Sequence, residues 1–252
     1  MRIKKFIINL ILGFVPSAAT RKDLRNKWLY THNSNNIKFE DKIKNNLNNN
    51  SIVVISPNNK KSYNVVIKGL NINFNGQNSS VIIHEPINMY NCNFRIGQNS
   101  CVEICASPYE IHNLSISATN NSKVFIGENF SCRGCKIENH DEANLNVKIG
   151  NDCMFSYGIH FRVSDGHSLF DTNNKEIINK PKTGINVGEH VWIGMNSIIL
   201  KDVNIADNVV IGACSLVNKS FVENYTAIAG SPAKIVKRNV NWDRRNTDRY
   251  VS

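Results

Sequence analysis

In the second half of the chain, aliphatic residues recur at every sixth position. Val187, Ile193, Ile199, Ile205, Ile211 and Val217 form an unbroken series of β-branched side chains. A companion series, Val191, Ser197, Val203, Val209, Ser215 and Phe221, is small or apolar. Six is not a helical period, but it accommodates the strand period of two. A fixed short period is the mark of a solenoid. The pattern predicts one short strand and one turn per hexapeptide, with three hexapeptides closing a triangular coil. Successive coils then stack as parallel strands about 4.8 Å apart, and the every-sixth aliphatics pile into an internal ladder. Gly188, Gly194 and Gly212 directly follow aliphatic positions. A chain turning a corner there is expected to need a residue tolerant of φ > 0.

Residues 51–162 carry the same alternation less regularly. Ile52–Ile55, Val65–Ile67, Leu70–Phe74, Val81–Ile83, Phe94–Ile96, Val102–Ile104, Leu114–Ile116 and Val124–Ile126 are short β-branched runs divided by Asn, Gly and Ser clusters. This is strand–turn repetition without helices. Asn at the corners can serve its own backbone and can stack into hydrogen-bonded ladders. The six-residue spacing returns at Ile149, Phe155 and Phe161. The expected organisation is an N-terminal arm and Asn-rich linker (1–50), an all-β parallel solenoid (51–240) and a basic tail (241–252).

The N-terminal arm begins with Arg2, Lys4 and Lys5, then an apolar run from Phe6 to Val15 that Asn9 interrupts. It is too short to span a bilayer. Phe6, Ile7, Leu10, Ile11 and Phe14 share one helical face. Two roles fit: a short amphipathic helix on the anionic inner membrane surface, or a cap on the solenoid end.

Across 252 residues, Lys and Arg number 30 and Asp and Glu 20, a net charge of +10. The excess points to an anionic partner. Nucleic acid is disfavoured, because no recognition motif accompanies the basic residues and aromatics make up only 8%. The seven cysteines are odd in number and irregularly spaced. Cys132 and Cys135 form one CxxC with no second pair to complete a zinc site. They read as core filling in a reducing compartment, and no metal is expected.

Phe161 and Val187 are separated by 26 residues, not a multiple of six. Something loops out over 162–184. An excursion from a rigid scaffold is where function tends to sit. It contains His167 between two carboxylates, Asp165 and Asp171. An imidazole held by a carboxylate suits a general base near neutral pH; taken alone, His167 reads as an exposed loop residue.

The order and spacing of several motifs resemble the hexapeptide-repeat, left-handed β-helix acyltransferases. Within them the closest likeness is to bacterial sugar O-acetyltransferases of capsule, lipopolysaccharide and sialic-acid metabolism. The matching pieces are Arg162 to Ser168, Val191-Trp192-Ile193-Gly194, Ile211-Gly212-Ala213, Val217-Asn218-Lys219 and Ala229 to Lys234. Gly230-Ser231-Pro232-Ala233 departs from the usual Gly-Asn-Pro-Ala, and Met195 stands where a small residue is common.

The resemblance implies a mechanism. His167 takes the proton from a sugar hydroxyl, whose oxygen attacks the thioester of acetyl-CoA while both substrates are held together. Asp165, Asp171 or Asp152 would orient His167. Trp192 would line the site; on its charge, and not from the resemblance, Arg162 would meet an acidic acceptor. Met195, Ala213, Asn218 and Lys219 would lie along the CoA arm, with Lys234, Lys237 and Arg238 near its phosphates. In the family the loop often reaches a neighbouring subunit, which implies a cytoplasmic homotrimer with sites between protomers. The competing readings are an N-acetyltransferase of a nucleotide-linked amino sugar and a non-catalytic β-solenoid.

Overall fold

The computed structural model describes residue 47 and residues 49–250. The amphipathic segment expected over residues 1–30 lies outside the described residues. The rest winds into a parallel, left-handed β-helix of triangular section. Its first face stacks β1 (Ser51–Ile55), β4 (Ser80–His84), β7 (Cys101–Ile104), β10 (Lys123–Ile126), β13 (Asn146–Ile149), β16 (Gly184–Val187) and β19 (Asn204–Ile205). The second stacks β5 (Asn88–Tyr90), β8 (Glu110–His112), β11 (Ser131–Cys132), β14 (Met154–Phe155), β17 (Trp192–Ile193), β20 (Val210–Ile211) and β22 (Thr226–Gly230). The third stacks β3 (Leu70–Phe74), β6 (Cys92–Ile96), β9 (Leu114–Ala118), β12 (Cys135–Glu138), β15 (Ile159–Arg162), β18 (Ile198–Leu200) and β21 (Leu216–Val217).

The expected ladder is the core. Val187 pairs with Ile205, Ile193 with Ile211 and Ile199 with Val217, and all six are buried. Phe130, Phe155 and Phe161 fill the wider coils, their neighbouring ring centroids 5.0 and 5.6 Å apart. The open ends, where a solenoid presents unpaired strand edges, carry antiparallel strands: β2 (Lys61–Tyr63) on β1, and β23 (Ala233–Arg238) on β22.

The early coils are longer: 29 residues from β1 to β4, then 21 to 24, against 18 in the regular part. Their corners are built by Asn78, Asn99 and Asn121, all left-handed, with φ of 58°, 53° and 55°. The amide of Asn78 donates to Asn99 and that of Asn99 to Asn121, the expected ladder.

The glycine expectation is corrected. Gly188, Gly194 and Gly212 are not left-handed; that conformation falls two residues later, on His190, Asn196 and Cys214. The glycines are needed because the next coil passes too close. A Cβ on Gly194 would stand 2.6 Å from the backbone nitrogen of Ala213.

Candidate active site

The excursion leaves the vertex between the third and first faces. Across it, Ile149 pairs with Val187, a span of 38 residues against 18 for a regular coil. Its outer part is a small antiparallel hairpin in which Phe170 bridges Ile177 and the Ile178 N–H donates to the Leu169 carbonyl at 2.9 Å. Two anchors from the following coil hold its base. Asp202 Oδ1 accepts the N–H groups of Lys182 and Thr183 at 2.9 and 2.8 Å. Burial pushes the Asp202 carboxyl up, but the N–H donors of Thr183, Lys182 and Gly184 outweigh it and hold the group below its ordinary value. Lys201 Nζ bonds the Asp165 carboxylate and the Asn179 carbonyl, the latter at 2.8 Å.

Asn179 then ties Asp165 to the backbone of His167. Its Nδ2 donates to Asp165 Oδ2 at 2.7 Å and to the His167 carbonyl at 2.8 Å. The Lys201 ammonium, reinforced by Asn179, holds the Asp165 carboxyl below its ordinary value. Gly166, at φ 78°, packs over the His140 ring. The exposed His167 side chain lines a shallow depression shared with Glu142, Ser168, Ile177, Asn179 and Pro181.

None of the three expected carboxylates reaches the His167 imidazole, which has no hydrogen-bond partner among the described residues. Asp165 is engaged by Lys201 and Asn179. Asp171 caps the turn of the hairpin through the Asn173 N–H at 2.7 Å. Asp152 faces His190 and Arg244. Asp165 thus shapes the excursion instead of orienting the ring; Glu142 is the carboxylate on the wall of the depression without such an engagement. Arg162, at the end of β15, lies 3.6 Å from Glu138.

The remaining expected residues stand elsewhere. Trp192, on β17, points outward from the second face and is 38% exposed. Met195 and Ala213 occupy successive corners between the second and third faces, linked by the Cys214 N–H donating to the Met195 carbonyl at 2.8 Å. Lys234, Lys237 and Arg238 are on β23 at the edge of the second face; Arg238 pairs with Glu223 at 2.8 Å. Asn218 and Lys219 form the corner between the third and first faces, with Lys219 Nζ 5.6 Å from the Phe221 ring centre.

The candidate residues therefore form two groups. His167, Asp165, Asn218 and Lys219 cluster at one vertex of the triangle, with Arg162 at the end of the strand leading into it. Trp192, Met195, Ala213, Lys234, Lys237 and Arg238 belong to the second face and its far corner, the side opposite that vertex.

Cys132 and Cys135 are buried, and burial pushes both thiols up, as for core side chains. Among the described residues, the side chains of His84, Glu103 and Cys105 lie together on the first face, where His84 Nε2 is 2.8 Å from Glu103 Oε1. Lys201, Asn179, Glu142 and Trp242 escaped the sequence reading. Lys201 bonds Asn179 across the insertion, Glu142 shares the depression with Asn179, and Trp242 lies beyond the last repeat.

A family model described as bacterial transferase hexapeptide (six repeats) matches residues 184–219. A polysialic acid O-acetyltransferase of Neisseria meningitidis is 36% identical over 170 residues, covering 68% of this chain and 78% of the relative. A polysialic acid O-acetyltransferase of Escherichia coli O1:K1 / APEC is 37% identical over 137 residues, covering 54% of this chain; the chain spans only 43% of that relative's length. Among solved structures, the polySia-specific acetyltransferase NeuO superposes with a TM-score of 0.67 at 33% identity, covering 80% of this chain and 88% of that one. With its fold, its repeat and these relatives in agreement, the chain belongs to the bacterial hexapeptide-repeat acyltransferases, in the branch that holds the polysialic acid O-acetyltransferases.

Proposed function

We propose that this protein is an acetyl-CoA-dependent O-acetyltransferase whose acceptor is a hydroxyl of an acidic bacterial surface glycan, of the polysialic acid class. The observation that carries the reading is the placement of His167. It is an imidazole with no partner among the described residues, on a tethered excursion, in a chain whose relatives are named as O-acetyltransferases of polysialic acid. The net charge of +10 suits an anionic acceptor and an anionic cosubstrate.

In this reading a ring nitrogen of His167 removes the proton of the acceptor hydroxyl. The freed electron pair on oxygen attacks the thioester carbon. The tetrahedral oxyanion collapses, the carbon–sulfur bond breaks, and the CoA sulfur leaves with the proton from the imidazolium. Asp165, through Asn179, fixes the backbone at His167, and Glu142, on the wall of the same depression, is the carboxylate assigned to orient the ring. Trp192 supplies an aromatic wall. Lys219, Lys234, Lys237 and Arg238 supply cations for the CoA phosphates.

The vertex that carries His167 is opposite the face that carries Trp192. A second copy of the chain, laid with its second face against this vertex, brings the two together. The hairpin supports such packing: Leu169, Phe170, Ile177 and Ile178 are 60%, 53%, 57% and 68% exposed, an apolar tip costly to leave in water. A face laid on a vertex is a heterologous contact; closed as a three-membered ring, the homotrimer that the resemblance implies, it gives three shared sites. A cytoplasmic setting, where acetyl-CoA is made, accompanies this reading. No helix among the described residues is long and apolar enough to cross a membrane.

The test is CoA release from acetyl-CoA with sialic acid, polysialic acid, neutral sugars and UDP-amino sugars. Polysialic acid is expected to stimulate release and to yield an alkali-labile ester. His167→Ala is expected to lose at least about 100-fold in kcat, the range for a general base. An alkali-stable amide would point to N-acetyl transfer. Undiminished turnover in His167→Ala would overturn the assignment of the base.

A further inference from the structure

Beyond β23 the chain doubles back along the vertex between the first and second faces. Trp242 is buried there against His190. Its indole N–H donates to the His190 carbonyl at 2.8 Å, and its ring stacks on the imidazole with centroids 4.3 Å apart and planes 12° apart. The Trp242 carbonyl lies 3.1 Å from His190 Nε2, while His190 Nδ1 lies 2.7 Å from Asp152 Oδ2. One histidine thus joins the tail to the corner of the preceding coil.

Arg244 continues the strap over the coils below. Its Nε bonds Asp152 Oδ1 at 3.0 Å and its Nη1 bonds Ser131 Oγ at 2.6 Å. Its Nη2 bonds the carbonyls of Asn129 and Cys153 at 2.8 and 3.0 Å. The guanidinium also lies 4.2 Å over the Tyr109 ring. An arginine this engaged, with only 17% of its side chain exposed, fixes the tail in a way that a surface ion pair does not.

The strap ends up beside Trp192. The Trp242 ring centroid is 6.2 Å from that of Trp192, at an interplanar angle of 48°. That is within the range of an interacting aromatic pair. The in-register neighbours of Trp192 on the face are Met154 and Val210, both unable to stack on it as an aromatic does. We infer that Trp242 is a positioning residue for Trp192: held by His190 and Arg244, it buttresses one side of the indole that walls the acetyl-transfer site. The inference rests on the proposed function for the role of Trp192, but the contact itself can be tested separately.

The chain has three tryptophans, Trp28, Trp192 and Trp242. In a Trp28→Phe background, the remaining two indoles are expected to give an exciton couplet in far-ultraviolet circular dichroism. Both Trp192→Phe and Trp242→Phe should abolish it. In the acetyl-transfer assay, Trp242→Ala should lower kcat/KM at least about tenfold, and Trp242→Phe should restore most of that loss. Trp192→Ala combined with Trp242→Ala should be no worse than Trp192→Ala alone, as expected of residues acting as one unit. If Trp242→Ala does not fold, Arg244→Met, which frees the strap without altering either indole, should weaken the couplet instead. A couplet absent from the parent, or surviving Trp242→Phe, would overturn the inference. So would a folded Trp242→Ala with parental kcat/KM and only a lowered Tm. A couplet that behaves as expected in a protein inactive toward every acceptor would sink the proposed function and leave the positioning intact.

Discussion

At the scale of the residue, the candidate base and the groups that hold it are separate things. His167 was legible because a histidine between two aspartates interrupts a strict repeat. The partner of Asp165 was not legible. Lys201 lies 36 residues further on, and only the stacking of β15 on β18 makes the two adjacent. Because its folded-state pKa is depressed, the Asp165 carboxylate contributes order to the excursion above its unfolded value, about 3.9. That contribution is lost as pH falls through the lower folded value. Both charges are partly solvated, so the effect is local. Lys201→Met should speed proteolytic cleavage within residues 165–180 several-fold at neutral pH, with Tm nearly unchanged. Cleavage at the parental rate would show that the Lys201 contact does not hold the excursion.

At the scale of the element, the repeat told where the strands are but misled about why its glycines are there. The requirement is for space between coils; the left-handed residues are Asn, Asp, His and Cys two positions on. Gly150 makes this testable. A Cβ there would stand 2.6 Å from the Gly188 carbonyl oxygen and 2.8 Å from the Glu189 nitrogen, all rigid backbone. Gly150→Ala is expected to destabilise by about 1–3 kcal/mol, the usual cost of overpacking. A Cβ on Gly134 would meet its nearest neighbour at 3.5 Å, an ordinary contact. Gly134→Ala should leave the denaturation midpoint nearly unchanged. Equal effects from the two would refute the spacing argument. The irregular early coils were harder to read, because Asn corners of variable length obscure a period that the core itself keeps.

At the scale of the whole molecule, a three-faced solenoid separates what the sequence set side by side. His167 and Trp192 lie 25 residues apart in the chain, yet one stands at a vertex and the other on the opposite face. The motif spacing singled out both residues as candidates, but it carried no information about where around the solenoid each would stand. The tail was the least legible part. Nothing in the basic run after β23 foretold that Trp242 and Arg244 return across four coils, since that path depends on His190, Asp152 and Tyr109 meeting at one vertex.

The central claim is that each acetyl-transfer site combines His167 of one protomer with Trp192 of another. The most direct measurement is complementation: His167→Ala and Trp192→Ala chains, each strongly impaired alone, are co-expressed with different tags, and the mixed assemblies are purified and assayed. Mixed assemblies contain some sites that keep both residues, so acetyl transfer should reappear at a substantial fraction of the parental rate. Mixed assemblies as inactive as either parent, beside active assemblies of differently tagged parental chains, would contradict a site shared between protomers.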